Sequence, residues 1–353
     1  MLLGGVVCVV VGGILVVLFV YGSLMMAMPK MRSCEVVSLH IYPIKSCAGL
    51  TIDQAAMTRL GFEWDRRFVV VDSKTNLMIS QRSHPQMALI RPTVSQDHNT
   101  GKITLKTTFP GKTDFQEVFC LEDAEKKLPT AVVEVWRQKI VAARLSHDAS
   151  KWFSDIIGKP CYLATIKGVD AHDRPVKAHA VNSGDQAGAF ADGYTYLLAS
   201  EESLASVNAK LRMKGENAVS MDRFRPNIVV KGVGEGFAED GWARITIGGI
   251  EFQCVRPCSR CALPTVEQNT GVRNKNNEPT RTMKTFRFFP WVIPNTPKIY
   301  FGQNMICTEW KGKKPKTIKI GDRVKVKCPA SSAGRQTSAL TRMMVFASKL
   351  LRL

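Results

Sequence analysis

The chain of 353 residues lacks several common catalytic signatures. It contains no Walker A loop, no His-Glu-x-x-His motif and no Gly-x-Ser-x-Gly motif, which argues against a P-loop nucleotidase, a zinc peptidase and an α/β-hydrolase. A glycine cluster at 232–236 follows a predicted strand, but the third glycine and the helix of a dinucleotide-binding loop are missing. We interpret this cluster as a turn.

Cysteine is also scarce, with 10 residues that have no repeated spacing. That number is far too low for a secreted disulfide scaffold. The chain has no Asn-x-Ser/Thr sequence either, which agrees with a body that never meets the secretory lumen. We therefore expect reduced thiols, most of them buried as small apolar side chains.

Charged residues are missing from the first 29 residues, where Val, Leu, Gly and Met dominate. An apolar run of this length can cross a bilayer as a helix. A cleaved signal peptide is the alternative, but the run has no basic start and no Ala-x-Ala site. We predict a single-pass membrane anchor at 1–29. Because Lys30 and Arg32 follow it directly, the positive-inside rule places the rest of the chain in the cytosol.

Acidic residues become scarce towards the C terminus. The chain carries 49 Lys and Arg against 30 Asp and Glu, a net charge of +19, and residues 272–353 hold 18 of the former and only 3 of the latter. The basic stretches lack interleaved aromatic residues, so no nucleic-acid partner is expected. An anionic membrane or an acidic protein suits this charge better. Residues 339–353 have the pattern of a basic amphipathic helix that lies on a membrane, and a frayed tail is the alternative.

Alternating apolar residues predict a β-rich body. The pattern favours strands at 34–50, where a strand runs into a loop, and at 68–71, 78–80, 102–109, 132–137, 227–231, 244–255, 317–320 and 324–326. Helices are expected at 151–158 and at 201–212, the second capped by Ser200. The alternation of strands and helices that builds a parallel doubly wound sheet is missing, so the fold class is α+β.

The densest group of reactive side chains is Cys254-x3-Cys258-x2-Cys261. A structural zinc site needs four ligands, but there is no second cysteine pair and all six histidines lie well upstream. A redox Cys-x-x-Cys pair normally opens a helix, whereas Pro264 follows here. A third interpretation is a single thiolate presented to a soft metal, with Arg256 and Arg260 beside it. The fourth is buried apolar cysteines, and the spacing leaves all four open.

Four short polar sequences stand at predicted strand ends, at 43–46, 65–67, 191–194 and 224–227. A single charge at such a place is usually solvated. Four sets at strand ends suggest convergence on one bound anion, because arginine side chains and amides are how proteins hold phosphate and carboxylate.

Six sequences occur in an order that resembles the MOSC-domain proteins. They are Tyr42-Pro-Ile-Lys-Ser-Cys47, Asp65-Arg-Arg-Phe68, Phe190-Ala-Asp-Gly-Tyr194, Arg223-Phe-Arg-Pro-Asn227, Cys258-Ser-Arg-Cys261 and Ile318-Lys-Ile-Gly-Asp322. With the apolar N terminus, they resemble the mitochondrial amidoxime-reducing members of this family of molybdenum enzymes. The resemblance covers residues 34–327, and six ordered motifs are far more specific than any one.

This resemblance implies a MOSC β-barrel with a second, smaller α/β N-terminal domain. The expected domains are the membrane anchor at 1–29, leading strands at 34–67 that pack with the barrel, a MOSC N-terminal domain at 68–162, the MOSC domain at 163–328 and a basic tail at 329–353.

The resemblance also implies a molybdenum cofactor, whose metal takes two sulfurs from the pterin dithiolene and one from a protein cysteine. The family's ligand is the cysteine after Ser-Arg, here Cys261, which is the expected catalytic and metal-binding residue. Asn304 stands where the family often has an aromatic residue, which bears on substrate preference. The cofactor contacts implied with Cys261 are Lys45, Ser46, Arg67, Asp192, Gly193, Tyr194, Arg225, Asn227, Ser259, Arg260 and Asn304.

The activity implied is reduction of amidoximes, hydroxamic acids or N-hydroxyguanidines to amidines or amines. No flavin or haem motif is visible, so electrons must come from a partner. The resemblance implies cytochrome b5, reduced from NADH by cytochrome b5 reductase, at the cytosolic face of the mitochondrial outer membrane. The alternative is a membrane-tethered carrier of the cofactor, or of a sulfur group on Cys261, without reductase activity.

Overall fold

The computed structural model describes residues 33–167, 188–287, 298–309 and 316–329. The predicted membrane anchor at 1–29 and the predicted helix at 339–353 lie outside these ranges. Among the described residues, no helix is both long enough and apolar enough to span a bilayer.

Strands account for most of the regular structure. In chain order they are β1 (Glu35–Ile41), β2 (Leu50–Ile52), β3 (Gln54–Thr58), β4 (Gly61–Phe62), β5 (Phe68–Asp72), β6 (Arg91–Gln96), β7 (Lys102–Phe109), β8 (Lys112–Cys120), β9 (Thr130–Val135), β10 (Gln138–Arg144), β11 (Cys161–Ile166), β12 (Tyr196–Ser200), β13 (Ile228–Lys231), β14 (Trp242–Ile247), β15 (Ile250–Arg260), β16 (Ile299–Cys307), β17 (Thr317–Lys319) and β18 (Val324–Pro329). The α-helices are α1 (Leu121–Lys126), α2 (His147–Ile157), α3 (Glu201–Arg212) and α4 (Thr280–Met283).

The largest sheet has eight strands in the order β18-β14-β15-β16-β12-β13-β1-β2. Its pairs are antiparallel except for β12 and β13, which run parallel. Strand β1 pairs with both β13 and β2, so the start of the described chain is built into a sheet made mostly of C-terminal strands. The longest strand, β15, pairs with β14 and β16 and ends in the cysteine motif.

The described residues also form three smaller sheets. Their orders are β5-β11-β10-β9, β6-β7-β8 and β17-β3-β4, and their pairs are antiparallel. The predicted domain boundary between residues 162 and 163 falls inside β11, which pairs with β5.

Aromatic side chains tie the large sheet to the strands that cover it. Tyr196 on β12 is fully buried and meets Phe62 and Phe252 edge to face, with ring centroids 5.0 and 5.4 Å apart. Such pairs add stability beyond the apolar area that they bury. The end of β12 that leads into the site is therefore held rigidly.

The expected β-rich α+β fold is confirmed. The predicted strand at 102–109 and helix at 201–212 coincide with β7 and α3, and Ser200 caps α3 by accepting the Ser203 N–H at 3.1 Å. The predicted segment at 244–255 is the β14–β15 hairpin. Helix α2 starts earlier than expected, because Ser146 caps it by accepting the Ala149 N–H at 3.0 Å.

Candidate cofactor-binding site

A cavity of about 240 Å³ lies between the ends of β1, β12 and β13 and the C-terminal half of β15. Eleven of the twelve predicted site residues line it: Lys45, Ser46, Asp192, Gly193, Tyr194, Arg225, Asn227, Ser259, Arg260, Cys261 and Asn304. Residues that are far apart in the sequence are thus brought to one place.

The cavity is strongly basic. Its wall carries one carboxylate, that of Asp192, and seven cationic side chains: Lys45, Arg66, Arg82, Arg225, Arg256, Arg260 and Lys298. A concave surface of one charge sign concentrates ligands of the opposite sign. The site is therefore suited to an anion.

Lys45 stands on the wall with its ammonium group fixed. Its Nζ donates to the carbonyl oxygen of Phe190 at 2.8 Å and contacts the carboxylate of Asp192. The Asp192 side chain is 70% exposed because it faces the cavity. Desolvation by the surrounding protein raises the pKa of Asp192, but the ammonium of Lys45 and the indole N–H of Trp136 outweigh this effect, so the pKa lies below its ordinary value. Asp192 is thus ionised at neutral pH.

Two guanidinium groups contact the ring of Tyr42. The Cζ atoms of Arg66 and Arg225 are 4.4 and 4.1 Å from its centroid, distances at which cation–π attraction operates. Tyr42 is buried and donates its hydroxyl to the carbonyl oxygen of Pro226 at 3.1 Å. The ring therefore holds two of the cavity's cations side by side.

Arg225 is a buried cation. Its Nη1 donates to the carbonyl oxygen of Cys47 at 2.6 Å, and among the described residues it forms no ion pair with a carboxylate. Burial lowers the pKa of Arg225 to about 10, so it remains charged at neutral pH. A buried charge without a counterion is costly, and an anionic ligand would offset that cost.

Backbone strain is concentrated around the cavity. Ser46, Arg66 and Arg225 have φ angles of +66°, +50° and +54°, a left-handed conformation that is unfavourable for residues other than glycine. Strain of this kind persists where the surroundings fix it, and it is common at binding sites. Three strained residues on one cavity wall support a functional role for it.

Asn227 connects three segments of the wall. Its Oδ1 accepts from the backbone N–H of Leu197 at 3.2 Å and from Arg66 at 3.1 Å, and its Nδ2 donates to the carbonyl oxygen of His40 at 3.2 Å. Asn227 therefore positions Arg66 and the ends of β1 and β12.

The end of β15 departs from regular strand geometry. Its pairing with β16 shifts between Cys254 and Arg256 and again between Pro257 and Ser259. In a regular strand only alternate side chains share a face, and a bulge re-aims them. This irregularity allows consecutive residues from Cys258 to Cys261 to line the cavity.

The three cysteines of the motif lie in different surroundings. Cys254 is buried in the core, the Sγ of Cys258 accepts from Nη1 of Arg260 at 3.1 Å, and Cys261 is exposed at the cavity with its Sγ accepting from the Leu263 N–H at 3.4 Å. Buried apolar packing thus accounts for Cys254 alone. The described residues contain no cluster of three metal-ligating side chains, so they give no support to a zinc site. Cys261 is the most exposed of the three thiols, and Cys258, which is half-buried, also lines the cavity.

Arg67 is the predicted site residue that does not line the cavity. It is buried near the ring of Trp64, with its Cζ 5.9 Å from the centroid, and its carbonyl oxygen accepts from Ile166 at 3.3 Å. Arg66 lines the cavity instead, because its left-handed backbone just before β5 turns the two neighbouring side chains to different places. The sequence Asp65-Arg-Arg-Phe68 carries no signal that separates the two arginines.

Arg82 and Lys298 also line the cavity but were not predicted from the sequence. Arg82 lies in a turn after β5 with no recognisable motif, and its Cζ is 4.0 Å from the ring centroid of Trp136. Lys298 immediately precedes β16. Only their position in the folded chain marks them.

The fold and site define a class of protein, and comparison with known families agrees. The model of the MOSC N-terminal beta barrel domain matches residues 33–160, and that of the MOSC domain matches residues 185–325. The chain belongs to the MOSC-domain family.

Its relatives include mitochondrial amidoxime-reducing component 1 of Homo sapiens, which is 31% identical over 304 residues that cover 82% of each chain. The protein of the same name from Mus musculus is 30% identical over 82% of this chain and 81% of its own. The molybdenum cofactor sulfurase of Solanum lycopersicum is 30% identical over 71% of this chain, but the match spans only 31% of that longer protein.

Proposed function

We propose that the chain binds a molybdenum cofactor in this cavity and reduces N-hydroxylated compounds, namely amidoximes, hydroxamic acids and N-hydroxyguanidines, to amidines or amines. The observation that carries the proposal is an exposed Cys261 thiol inside a cavity with seven cationic side chains. The names of the human and mouse relatives support the reaction class.

The residues present fit an anionic, sulfur-bound cofactor. Within the described ranges, Arg225 is buried without a carboxylate partner and the buried Nε of Arg260 has no hydrogen-bond partner. A phosphate group would provide acceptors for such donors, which arginine binds with well-defined geometry. A thiolate is the ligand that a soft transition metal prefers.

Each group of residues then has a task. Cys261 supplies the sulfur ligand, and its Sγ is positioned by the Leu263 N–H at 3.4 Å. The cationic side chains neutralise the cofactor's charge, and Asp192 with Phe190 fixes the ammonium of Lys45. When bound, the cofactor supplies a metal that accepts oxygen from the substrate and exchanges two electrons.

Electrons for each turnover must come from another protein, because the sequence contains no flavin or haem motif. We propose cytochrome b5, reduced from NADH by cytochrome b5 reductase, as the donor. We also propose that the chain is anchored by residues 1–29 in the mitochondrial outer membrane and faces the cytosol. The basic charge of this protein suits an acidic donor.

The test is NADH-dependent conversion of benzamidoxime to benzamidine with both cytochrome proteins present, alongside a measurement of bound molybdenum. Cys261→Ala should abolish turnover in a folded protein. Cys254→Ala, in the same motif but buried away from the cavity, is the matched control and should retain activity. An active Cys261→Ala protein contradicts the proposal.

A second candidate function is a cofactor or sulfur carrier that performs no reduction. The similarity to a molybdenum cofactor sulfurase favours it, although the chain corresponds to less than a third of that protein. A wild-type protein that holds molybdenum but consumes no NADH with benzamidoxime would favour the carrier.

A further inference from the structure

The segment 319–327, which we term the basic turn, joins the end of β17 to β18. Four of its side chains, those of Lys319, Arg323, Lys325 and Lys327, are basic and exposed. The nearby Lys316 pairs with Glu309 at 3.3 Å, whereas these four make no ion pair among the described residues. The segment also holds one carboxylate, that of Asp322, which accepts from the backbone N–H of Lys319 at 2.9 Å. With four basic side chains against one acidic one, the basic turn is a net positive surface.

The basic turn is hydrogen-bonded to the start of β1, where the described chain begins. The Val36 N–H donates to Asp322 O at 2.9 Å, the Gly321 N–H to Val36 O at 2.8 Å and the Val324 N–H to Cys34 O at 2.7 Å. These bonds fix the turn to the first described residues.

Few residues separate this point from the charge-free segment that ends at Pro29. The chain spans at most ~3.6 Å per residue, so the distance from Pro29 to Cys34 cannot exceed about 18 Å. Lys30 and Arg32 lie within this connection and add to the positive charge. If residues 1–29 are in a bilayer, the basic turn lies close to the lipid surface.

One apolar side chain in the turn accompanies the basic ones. Ile320, next to Lys319, is 41% exposed, whereas Val326 alternates with Lys325 and Lys327 along β18 and faces the other side of the strand. Basic residues with an apolar neighbour suit the interface of an anionic membrane, where charges meet headgroups and apolar groups reach the acyl boundary.

We propose that the basic turn is a contact surface for an anionic lipid bilayer, which orients the body on the membrane. This inference rests on the proposed anchor at 1–29 and is independent of the reductase activity. Anionic lipid is favoured over an acidic protein partner because Cys34, whose carbonyl oxygen accepts from Val324 of the turn, lies within about 18 Å of the end of the anchor. Each basic residue near such a surface strengthens attraction by about fivefold.

The test uses the full chain reconstituted into vesicles of phosphatidylcholine, with or without phosphatidylserine. Exposed lysines are labelled with an amine-reactive reagent and quantified by mass spectrometry. Labelling of Lys319, Lys325 and Lys327 should fall several-fold in the phosphatidylserine vesicles. It should recover in about 1 M salt, because the Debye length is then only roughly 3 Å and the attraction is screened. The exposed Lys102 and Lys151, on β7 and α2, should label equally in both.

A charge-reversal pair adds a second readout. Lys325→Glu with Lys327→Glu should abolish the lipid-dependent protection of Lys319. Lys102→Glu with Lys151→Glu changes the net charge equally and should leave that protection intact. Both pairs are exposed, so circular dichroism should show a retained fold.

Several results would overturn the proposal. Flotation of the vesicles shows whether the chain is bound to them. If the chain floats with both kinds of vesicle but its lysines label equally in both, the anchor inserts and the basic turn does not contact lipid. If the chain does not float, both the anchor and the contact are wrong. Protection that appears only when an acidic electron donor is added assigns the basic turn to that protein. None of these readouts depends on reductase activity, so they leave the proposed reaction unaffected.

Discussion

The indole Nε1 of Trp136 donates a hydrogen bond to Oδ1 of Asp192 at 2.8 Å. Trp136 lies at the tip of the β9–β10 hairpin, and Asp192 lies in the loop before β12 and pairs with Lys45. The guanidinium of Arg82 covers the Trp136 ring at 4.0 Å. A hairpin of the four-stranded sheet thus helps to position a cation on the cavity wall.

Trp136→Phe keeps a ring beneath Arg82 but removes the donor to Asp192. We expect bound molybdenum at limiting cofactor to fall about 10-fold or more, because a hydrogen bond to a charged carboxylate contributes roughly 1.5–3 kcal/mol. Trp136→Ala should lower it further through loss of the stacked ring. Metal analysis of purified protein provides the measurement, and equal content in Trp136→Phe and wild type would show that the bond does not support the site.

Asp192→Asn tests the low pKa of this carboxyl group. Its pKa in the folded protein lies below the ordinary value of about 3.9. The stabilisation from its charge is therefore fully present above about pH 4 and is lost as the pH falls through the folded pKa. The difference in free energy of unfolding between the two proteins should be constant from about pH 7 to 5 and should shrink below about pH 4. Denaturant titrations at several pH values measure it, and a difference that already changes near neutral pH would contradict the assignment.

Arg66 and Arg67 are neighbours in the sequence, but only Arg66 lines the cavity, so substitutions of the two can be compared directly. Arg66 pairs with the buried carboxylate of Asp65 at 2.5 Å, so Arg66→Gln should lower the free energy of unfolding. It should also reduce cofactor retention per folded molecule about 10- to 100-fold, since a hydrogen bond to a charged group contributes roughly 1.5–3 kcal/mol. Arg67→Gln should lower the free energy of unfolding by about 1–3 kcal/mol, because it disturbs a buried polar group, and should keep cofactor per folded molecule unchanged. Metal content per folded molecule separates the two variants. The reverse pattern would place Arg67 at the cofactor.

Cytochrome-supported turnover should decrease as ionic strength rises. The screening length shortens from about 10 Å at 0.1 M salt to about 3 Å at 1 M, which weakens attraction between a basic protein and an acidic donor. Turnover driven by a small uncharged reductant serves as the control and should change little. If salt leaves the cytochrome-supported rate unchanged, electrostatic docking of the donor is wrong.

Strands with one buried face were easier to predict than strands buried on both. The edges of β7 follow directly from its alternation, whereas every residue of β11 and β12 is buried, which removes the two-residue period. The site shows a similar contrast. The ordered motifs predicted eleven residues that line the cavity, but the motif at 65–68 does not separate Arg66 from Arg67, and Arg82 and Lys298 lie in no motif.

The sequence by itself determined the α+β class, the charge-free N terminus, the concentration of positive charge in residues 272–353 and membership of the family, because these depend on composition, periodicity and motif order. The tertiary structure decided which of the three cysteines is most exposed at the cavity and which of two adjacent arginines faces it. It also decided that the basic turn lies against the start of the body. The physical reason is that exposure, bulges and left-handed backbone angles depend on contacts between segments distant in the chain, which no local pattern records.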